Sequence, residues 1–274
     1  MNRKIVILKL IFICVLVGLT GCFGGGVMSS ETETRYYTPL ANQVMDIINS
    51  NGIITIQPTN SSNIMVQAEK ITYGGSDDLK NINFTISVQN NHIQIKTVTT
   101  GFSAYQRVIA YTIYVPHNVI VGEVSTHDGY INISDVKGDV VASSTNGQII
   151  MKNVDGYVTA TTSNGRIEIT GTSGIKNVQT SNSQIEVEVY GLEDTTDIMT
   201  SNSRITVLLL PTLNMTLDAQ TSNSQIQIQG INLNVSTMEQ THVVGKLGTG
   251  EKHLTLRTSN SVIIIGSLEV IPIE

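Results

Sequence analysis

The stretch TSNSQIEVEV, residues 180–189, recurs along the chain as TSNGRIEIT, TSNSRITVL, TSNSQIQIQ and TSNSVIIIG. The residue in the Asn position of each copy is Asp128, Asn146, Asn164, Asn182, Asn202, Asn223 and Asn260, with steps of 18, 18, 18, 20, 21 and 37 residues. Equal steps followed by expansions are what stacked supersecondary units produce when later units carry loop insertions. The flanks keep phase. Three and five residues after each anchor stand Ile131/Ile133, Ile149/Met151, Ile167/Ile169, Ile185/Val187, Ile205/Val207, Ile226/Ile228 and Ile263/Ile265. Four before it stand Val124, Ala142, Ala160, Val178, Ile198, Ala219 and Leu256, and two before it always Thr or Ser. Period-two alternation on both sides of the anchor marks two strands per copy, each with one buried face.

Each copy thus reads strand, Asn turn, strand, second turn, with Val154-Asp155-Gly156 and Gly171 to Gly174 suited to the second turn. The expected fold is all-β, a parallel β-solenoid of about 18-residue coils. A polar low-complexity stalk would share the Ser, Thr and Asn content but not the alternation. Each strand is expected to reverse within two residues at the Asn, which requires positive φ, so these Asn are expected to be left-handed. With coils about 4.8 Å apart, their amides are expected to bond as a ladder. The Thr or Ser two places earlier points inward, where its hydroxyl can reach turn backbone.

Ahead of the repeat, Asn49-Ser50-Asn51-Gly52 precedes Ile53-Ile54-Thr55-Ile56 as a further copy of the motif. Ile64 to Ile71, Ile82 to Val88, His92 to Val98 and Arg107 to Val115 read as strands, with Asn90-Asn91 as a hairpin turn. Leu40 to Ile48 is the one stretch with a weak helical pattern. This organisation predicts an antiparallel β cap over residues 41–118 and solenoid repeats over 119–274, the two making one continuous domain. The Asn-Gly-Ile-Ile-Thr-Ile start, the block ending Tyr-Thr-Ile-Tyr-Val-Pro and the Thr-Ser-Asn-Gly/Ser copies resemble the putative adhesin family. The resemblance spans residues 42 to 270 and implies an envelope-associated β-solenoid domain of unknown function, without catalytic residues to carry over.

The chain opens MNRKIVILKLIFICVLVGLTGC, with Arg3 and Lys4 before an apolar run and Leu19-Thr20-Gly21 before Cys22. That layout predicts a signal peptide over 1–21. Its ending resembles a lipoprotein lipobox, which implies cleavage before Cys22 and lipid on its sulfur. An uncleaved anchor helix over Ile5 to Gly21, marred by Lys9, is the alternative. Either way the bulk of the chain is expected outside the cytoplasmic membrane, at the cell envelope or surface. Residues 22–40, rich in Gly, Ser and charge, are expected to be a flexible linker. Cys14 and Cys22 are the only cysteines, so the exported part is expected to have no disulfide.

Loss of Arg3, Lys4 and Lys9 with the signal leaves 16 − 3 = 13 basic groups against 22 acidic ones, a net charge of −9. That argues against a nucleic-acid partner, which would need a basic face, and none is expected. Charged residues are 14% of the chain, too few for an obvious catalytic cluster. Glu168 and Glu186 occupy equivalent places in adjacent copies, but ladder neighbours cannot flank a bond from opposite sides as glycosidase carboxylates do. The histidines His92, His117, His127, His242 and His253 lack ligand spacing, and Asp77-Asp78 with Asp128 or Asp135 reads as hydrated turns rather than a calcium site. No catalytic residue, metal or cofactor is therefore expected. Asn60, Asn83, Asn132, Asn214 and Asn234 are sequons open to N-glycosylation in a host that performs it.

The leading functional expectation is a non-enzymatic surface lipoprotein, membrane-attached through its lipid, that contacts a cell-wall glycan or a surface protein. A structural or signalling element that self-assembles through solenoid edges is the alternative, and a glycan-active enzyme comes third.

Overall fold

The computed structural model describes residues 28–269 and, ahead of them, the short strand Val6–Leu8. Cys22 and the expected signal segment, apart from Val6–Leu8, lie outside the described residues. Strands dominate; the one helix among the described residues is the single turn Ser76–Leu79. The chain divides into two compact units, residues 1–132 and 133–274.

In the second unit every copy of the motif sends one strand into each of two parallel ladders. Ile149–Asp155, Ile167–Thr170, Ile185–Val189 and Ile205–Leu209 pair in parallel, with Ile149 opposite Ile167, Ile167 opposite Ile185 and Ile185 opposite Ile205. Val141–Ser143, Tyr157–Thr161, Gly174–Gln179 and Leu192–Met199 form the other ladder, with Ala142 opposite Ala160, Ala160 opposite Val178 and Val178 opposite Ile198. The equal sequence steps are thus one register repeated without a break in the ladder of Ile149, Ile167 and Ile185, while the other ladder shifts register after Val158 and after Ile175. The residues expected to face inward in this unit are buried, apart from a half-exposed Ile228. Each buried Ile or Val contributes roughly 1.5–3 kcal/mol. Register follows, because a one-residue slip would turn the whole row out to water.

The later rungs do not stack in chain order. Ile263–Ser267 lies between Ile205–Leu209 and Ile226–Gln229, and Lys252–Thr258 lies between Leu192–Met199 and Met215–Thr221. The chain skips a place after Leu209, builds what becomes the outer rung, and fills the gap with its last copy. Between them the antiparallel pair Asn234–Met238 and His242–Leu247 covers the free edge of Met215–Thr221. That pair accounts for the final 37-residue step. Ile228 is half-exposed because its rung is the outermost of its ladder.

The first unit mixes directions. Val44–Ile48 runs parallel to His92–Thr99 and to Ile120–Ser125, and Ile54–Thr59 runs parallel to Arg107–Pro116. Ile82–Gln89 with His92–Thr99, and Ile64–Thr72 with Arg107–Pro116, are antiparallel. The expectation of an antiparallel cap therefore holds for only part of it. The Asn90-Asn91 turn has φ of 50° and 68°, the left-handed pair that a two-residue hairpin demands. The Asn51 copy bridges in parallel to Asp128. Leu40 to Ile48 is not helical: Val44–Ile48 is a strand whose Met45 and Ile47 are buried by its two parallel neighbours.

Residues 29–37, expected to be linker, are also a strand. Ser29–Tyr37 pairs antiparallel with Ile64–Thr72 over its whole length. Its alternating Thr residues suit a strand, and its buried Glu33 bonds Lys70 at 2.7 Å and Arg35 at 2.8 Å. Burial pushes the Glu33 carboxyl up, but hydrogen bonds from Lys70 and then Arg35 outweigh it and hold it below the usual range. Arg35 also lies 3.8 Å over the Phe84 ring. A charge count alone hides this network, because its partners are far apart in sequence.

Candidate functional site

The turn after the first strand of each copy carries the most regular polar chemistry in the second unit. Asn164 Nδ2 donates to Asn146 Oδ1 at 2.7 Å, Asn182 to Asn164 at 2.7 Å, and Asn202 to Asn182 at 2.8 Å. The row then leaves chain order: Asn260 donates to Asn202 and Asn223 to Asn260, both at 2.8 Å. Asp128 belongs to the first unit, where it bonds His127 Nδ1 at 2.9 Å. The ladder expected from the sequence is present from Asn146 to Asn223, with Asn260 and Asn223 exchanged in order.

None of these Asn is left-handed, contrary to expectation. The strands before and after each turn belong to different ladders, so the chain rounds a corner and never reverses on itself. The corner is built by hydroxyls instead. Thr162 Oγ1 accepts from Gly165 N at 3.2 Å and donates to Gly147 O, one rung away, at 3.1 Å. Thr180, Thr200, Thr258 and Thr221 donate in the same way to Gly165, Ser183, Ser203 and Ser261 carbonyls at 2.9–3.1 Å. At Gly165 the missing side chain has a steric reason: a Cβ there would lie 1.8 Å from Gly147 O. Left-handed residues sit at the other corner, where Asp135 (φ 55°), Asn153 (φ 52°) and Gly171 (φ 63°) follow one another at the 18-residue step. Asn153 Nδ2 donates to Asp135 Oδ1 at 2.9 Å. Of the two stretches expected for this turn, Gly171 to Gly174 begins on the left-handed Gly171, while Val154-Asp155-Gly156 starts one residue after the left-handed Asn153.

Between the buried Thr and the Asn row runs a row of Ser that the sequence reading did not single out. Ser163, Ser181, Ser201, Ser259 and Ser222 are all exposed, and among the described residues their hydroxyls bond to no protein group. Ser163, Ser181 and Ser201 fix the spacing through their carbonyls, each of which takes two N–H groups from the next rung. Asn164, Asn182, Asn202 and Asn260 each spend one N–H and one lone pair on their neighbours, leaving a second of each. Ser181, Ser201, Ser259 and Ser222 line a shallow groove of about 330 Å³, with Gln179, Met199, Arg257 and Gln220 along its inner side. Asp218 fixes Arg257 through two bonds of 2.7 and 3.1 Å and also meets His242 Nε2 at 3.0 Å. The Arg257 guanidinium, then His242, hold the Asp218 carboxyl below its usual range.

The remaining candidates are placed as follows. Glu168 and Glu186 are register neighbours, and Arg166 bridges them both while Lys152 meets Glu168 at 3.3 Å. Two carboxylates on one side of a sheet, compensated by shared cations, are arranged as an ion ladder. Asp78 is clamped by Arg107 and Asp77 by Lys80, so those acids face cations. Among the described residues no cluster of three or more His, Cys, Asp or Glu could hold a metal. All five sequon Asn are exposed. Among the described residues no helix is long and apolar enough to cross a membrane, which says nothing about strands.

No family model matches the chain, and no curated protein matches it. Solved structures do. A putative cell adhesion protein from Clostridium sporogenes is similar at 9% identity and a TM-score of 0.39, over 87% of this chain and 100% of that one. A putative adhesin from Bacteroides fragilis is similar at 12% identity and a TM-score of 0.33, over 86% and 97%. A putative lipid binding protein from Parabacteroides distasonis is similar at 12% identity and a TM-score of 0.29, over 87% and 97%.

Proposed function

We propose that the protein is a non-enzymatic lipoprotein of the cell surface or envelope, attached through Cys22, whose repeats form a β-solenoid of about 18-residue coils and bind an extended glycan of the cell wall along the Ser-Asn turn row. The observation that carries this reading is the row itself. Exposed hydroxyls without protein partners, and amides with spare donors and acceptors, recur once per rung at about 4.8 Å. A polymer that presents a hydroxyl-bearing unit at a similar repeat can bond each rung in turn. Single contacts of this kind are weak in water, so affinity accumulates with length. The matched spacing is what gives it specificity.

Pull-down of purified cell-wall polysaccharide by the soluble domain tests the reading, with the double variant Ser201→Ala, Ser259→Ala as the control. Retention by the native protein that the variant loses supports it, and equal retention by both removes the row from the account. Release of shorter fragments from the polysaccharide would favour the enzyme instead.

A further inference from the structure

We propose that one end of the first unit docks on the bilayer surface through an exposed aromatic cluster, a surface separate from the glycan-binding row. Ser29 is paired with Thr72, and Thr72 with Arg107, so the start of Ser29–Tyr37, the end of Ile64–Thr72 and the start of Arg107–Pro116 share one edge. Four exposed apolar residues adjoin that edge in sequence. Met28 (50% exposed) precedes Ser29, Tyr73 (48%) follows Thr72, and Phe102 (95%) and Tyr105 (45%) precede Arg107. Elsewhere along these strands the large apolar side chains are mostly turned inward.

The loop that carries Phe102 is held, not loose. Arg107 binds the Asp78 carboxylate and also donates to Thr100 O at 2.7 Å and Gly101 O at 3.1 Å. Asp78 further accepts from Thr72 Oγ1 at 2.7 Å, and Thr100 N donates to Asn81 O at 2.9 Å. A clamped loop that presents a phenyl ring almost wholly to water keeps an unfavourable exposure in place, which a partner surface would relieve.

The position of the expected anchor selects a bilayer as that partner. The docking rests on the lipoprotein reading of Cys22. Residues 22–28 would then join the lipid to Ser29, and fully extended they reach about 25 Å at most. The tether therefore ends at the aromatic edge itself. A net charge of −9 after signal removal disfavours electrostatic attraction to headgroups, so a membrane contact beside the lipid would be apolar. Phe and Tyr at the headgroup level suit it, since their rings are apolar and the Tyr hydroxyls stay wet.

The chain contains no tryptophan, so Phe102→Trp places a single reporter at the tip. Ser62→Trp, in the exposed loop at the other end of Ile64–Thr72, places one about 30 Å away. The processed lipoprotein is reconstituted in zwitterionic phosphatidylcholine vesicles with and without brominated acyl chains. Mass of the Cys22 peptide and partition into detergent report lipidation separately. The expected result is blue-shifted emission at position 102, quenched several-fold more than at 62. A lipidated, vesicle-bound protein whose reporter at 102 is no better quenched than at 62 overturns the docking alone. An unmodified Cys22 overturns the lipoprotein reading and the docking with it.

Discussion

Asn260 Nδ2 lies 2.8 Å from Asn202 Oδ1, across a sequence separation of 58 residues, while Asn223 bonds to the far side of Asn260. The last copy of the repeat is thus an interior rung. Its strands bury Leu254, Leu256, Ile263 and Ile265 completely, and without it the edges of two rungs would face water. The outer rung and its antiparallel cover therefore precede in sequence the strands that lie inside them.

Rung order can be read chemically. In a Cys14→Ser, Cys22→Ser background, the pair Thr206→Cys, Ile264→Cys should oxidise readily, because these positions are register partners at a separation a disulfide can span. Thr206→Cys, Gln227→Cys, neighbours only if copies stacked in chain order, should stay reduced. Non-reducing gels with thiol counting decide between them.

The φ angles change what Asn182 is expected to do. It carries ladder bonds to Asn164 and Asn202 but no left-handed strain. Asn182→Ala should therefore cost about 1 kcal/mol for hydrogen bonds at an exposed site. Asn182→Gly should cost a further 0.5–1 kcal/mol or so in backbone entropy. Urea melts showing Gly less damaging than Ala would mean that the turn is strained after all.

The buried hydroxyl row should matter more than the exposed one. Thr180→Val keeps the shape but removes the donor to Gly165 O, leaving buried turn backbone short of a partner at a cost of roughly 1–3 kcal/mol. Ser181→Ala, which removes a hydroxyl with no protein partner, should leave the urea midpoint within error. Equal effects would contradict the division between a structural Thr and a functional Ser.

Acid should loosen the first unit. Asp78 and Glu33 both have depressed folded pKa values, through Arg107 for the first and Lys70 with Arg35 against burial for the second. A depressed carboxyl stabilises the fold fully above its unfolded pKa, about 4. That contribution disappears as pH falls through the folded value. The melting temperature followed at probes in residues 28–132 should be level above about pH 5 and fall below about 4, and Asp78→Asn should flatten part of the fall. A rise in stability on acidification would contradict both ion pairs.

The strand content, the inward rows, the Asn ladder and the hairpin at Asn90-Asn91 were legible because each rests on local periodicity or local turn chemistry. What escaped depends on partners far along the chain. Nothing near Asn223 or Asn260 signals that they exchange places; the 21-residue step to Asn223 mimics an ordinary rung. Ser29–Tyr37 resembled a spacer because its polar side chains gain partners only across the sheet, as Glu33 does with Lys70. The left-handed expectation failed for a different reason. It assumed hairpin geometry, whereas the Asn corner joins two different ladders without positive φ, and the left-handed residues Asp135, Asn153 and Gly171 fall at the opposite corner. The Ser row stood in the motif throughout, but only register shows that its hydroxyls align and lack partners.

The most direct test of the glycan-binding account is a titration of the isotopically labelled soluble domain with soluble cell-wall glycan fragments of increasing length, followed by amide and Asn side-chain NMR shifts. The account predicts shifts confined to Ser181, Asn182, Ser201, Asn202, Ser259, Asn260, Ser222 and Asn223, recruited in the spatial order 181, 201, 259, 222, with affinity rising as fragments span more rungs. Binding that leaves this row unshifted, or no binding at any fragment length, would contradict it.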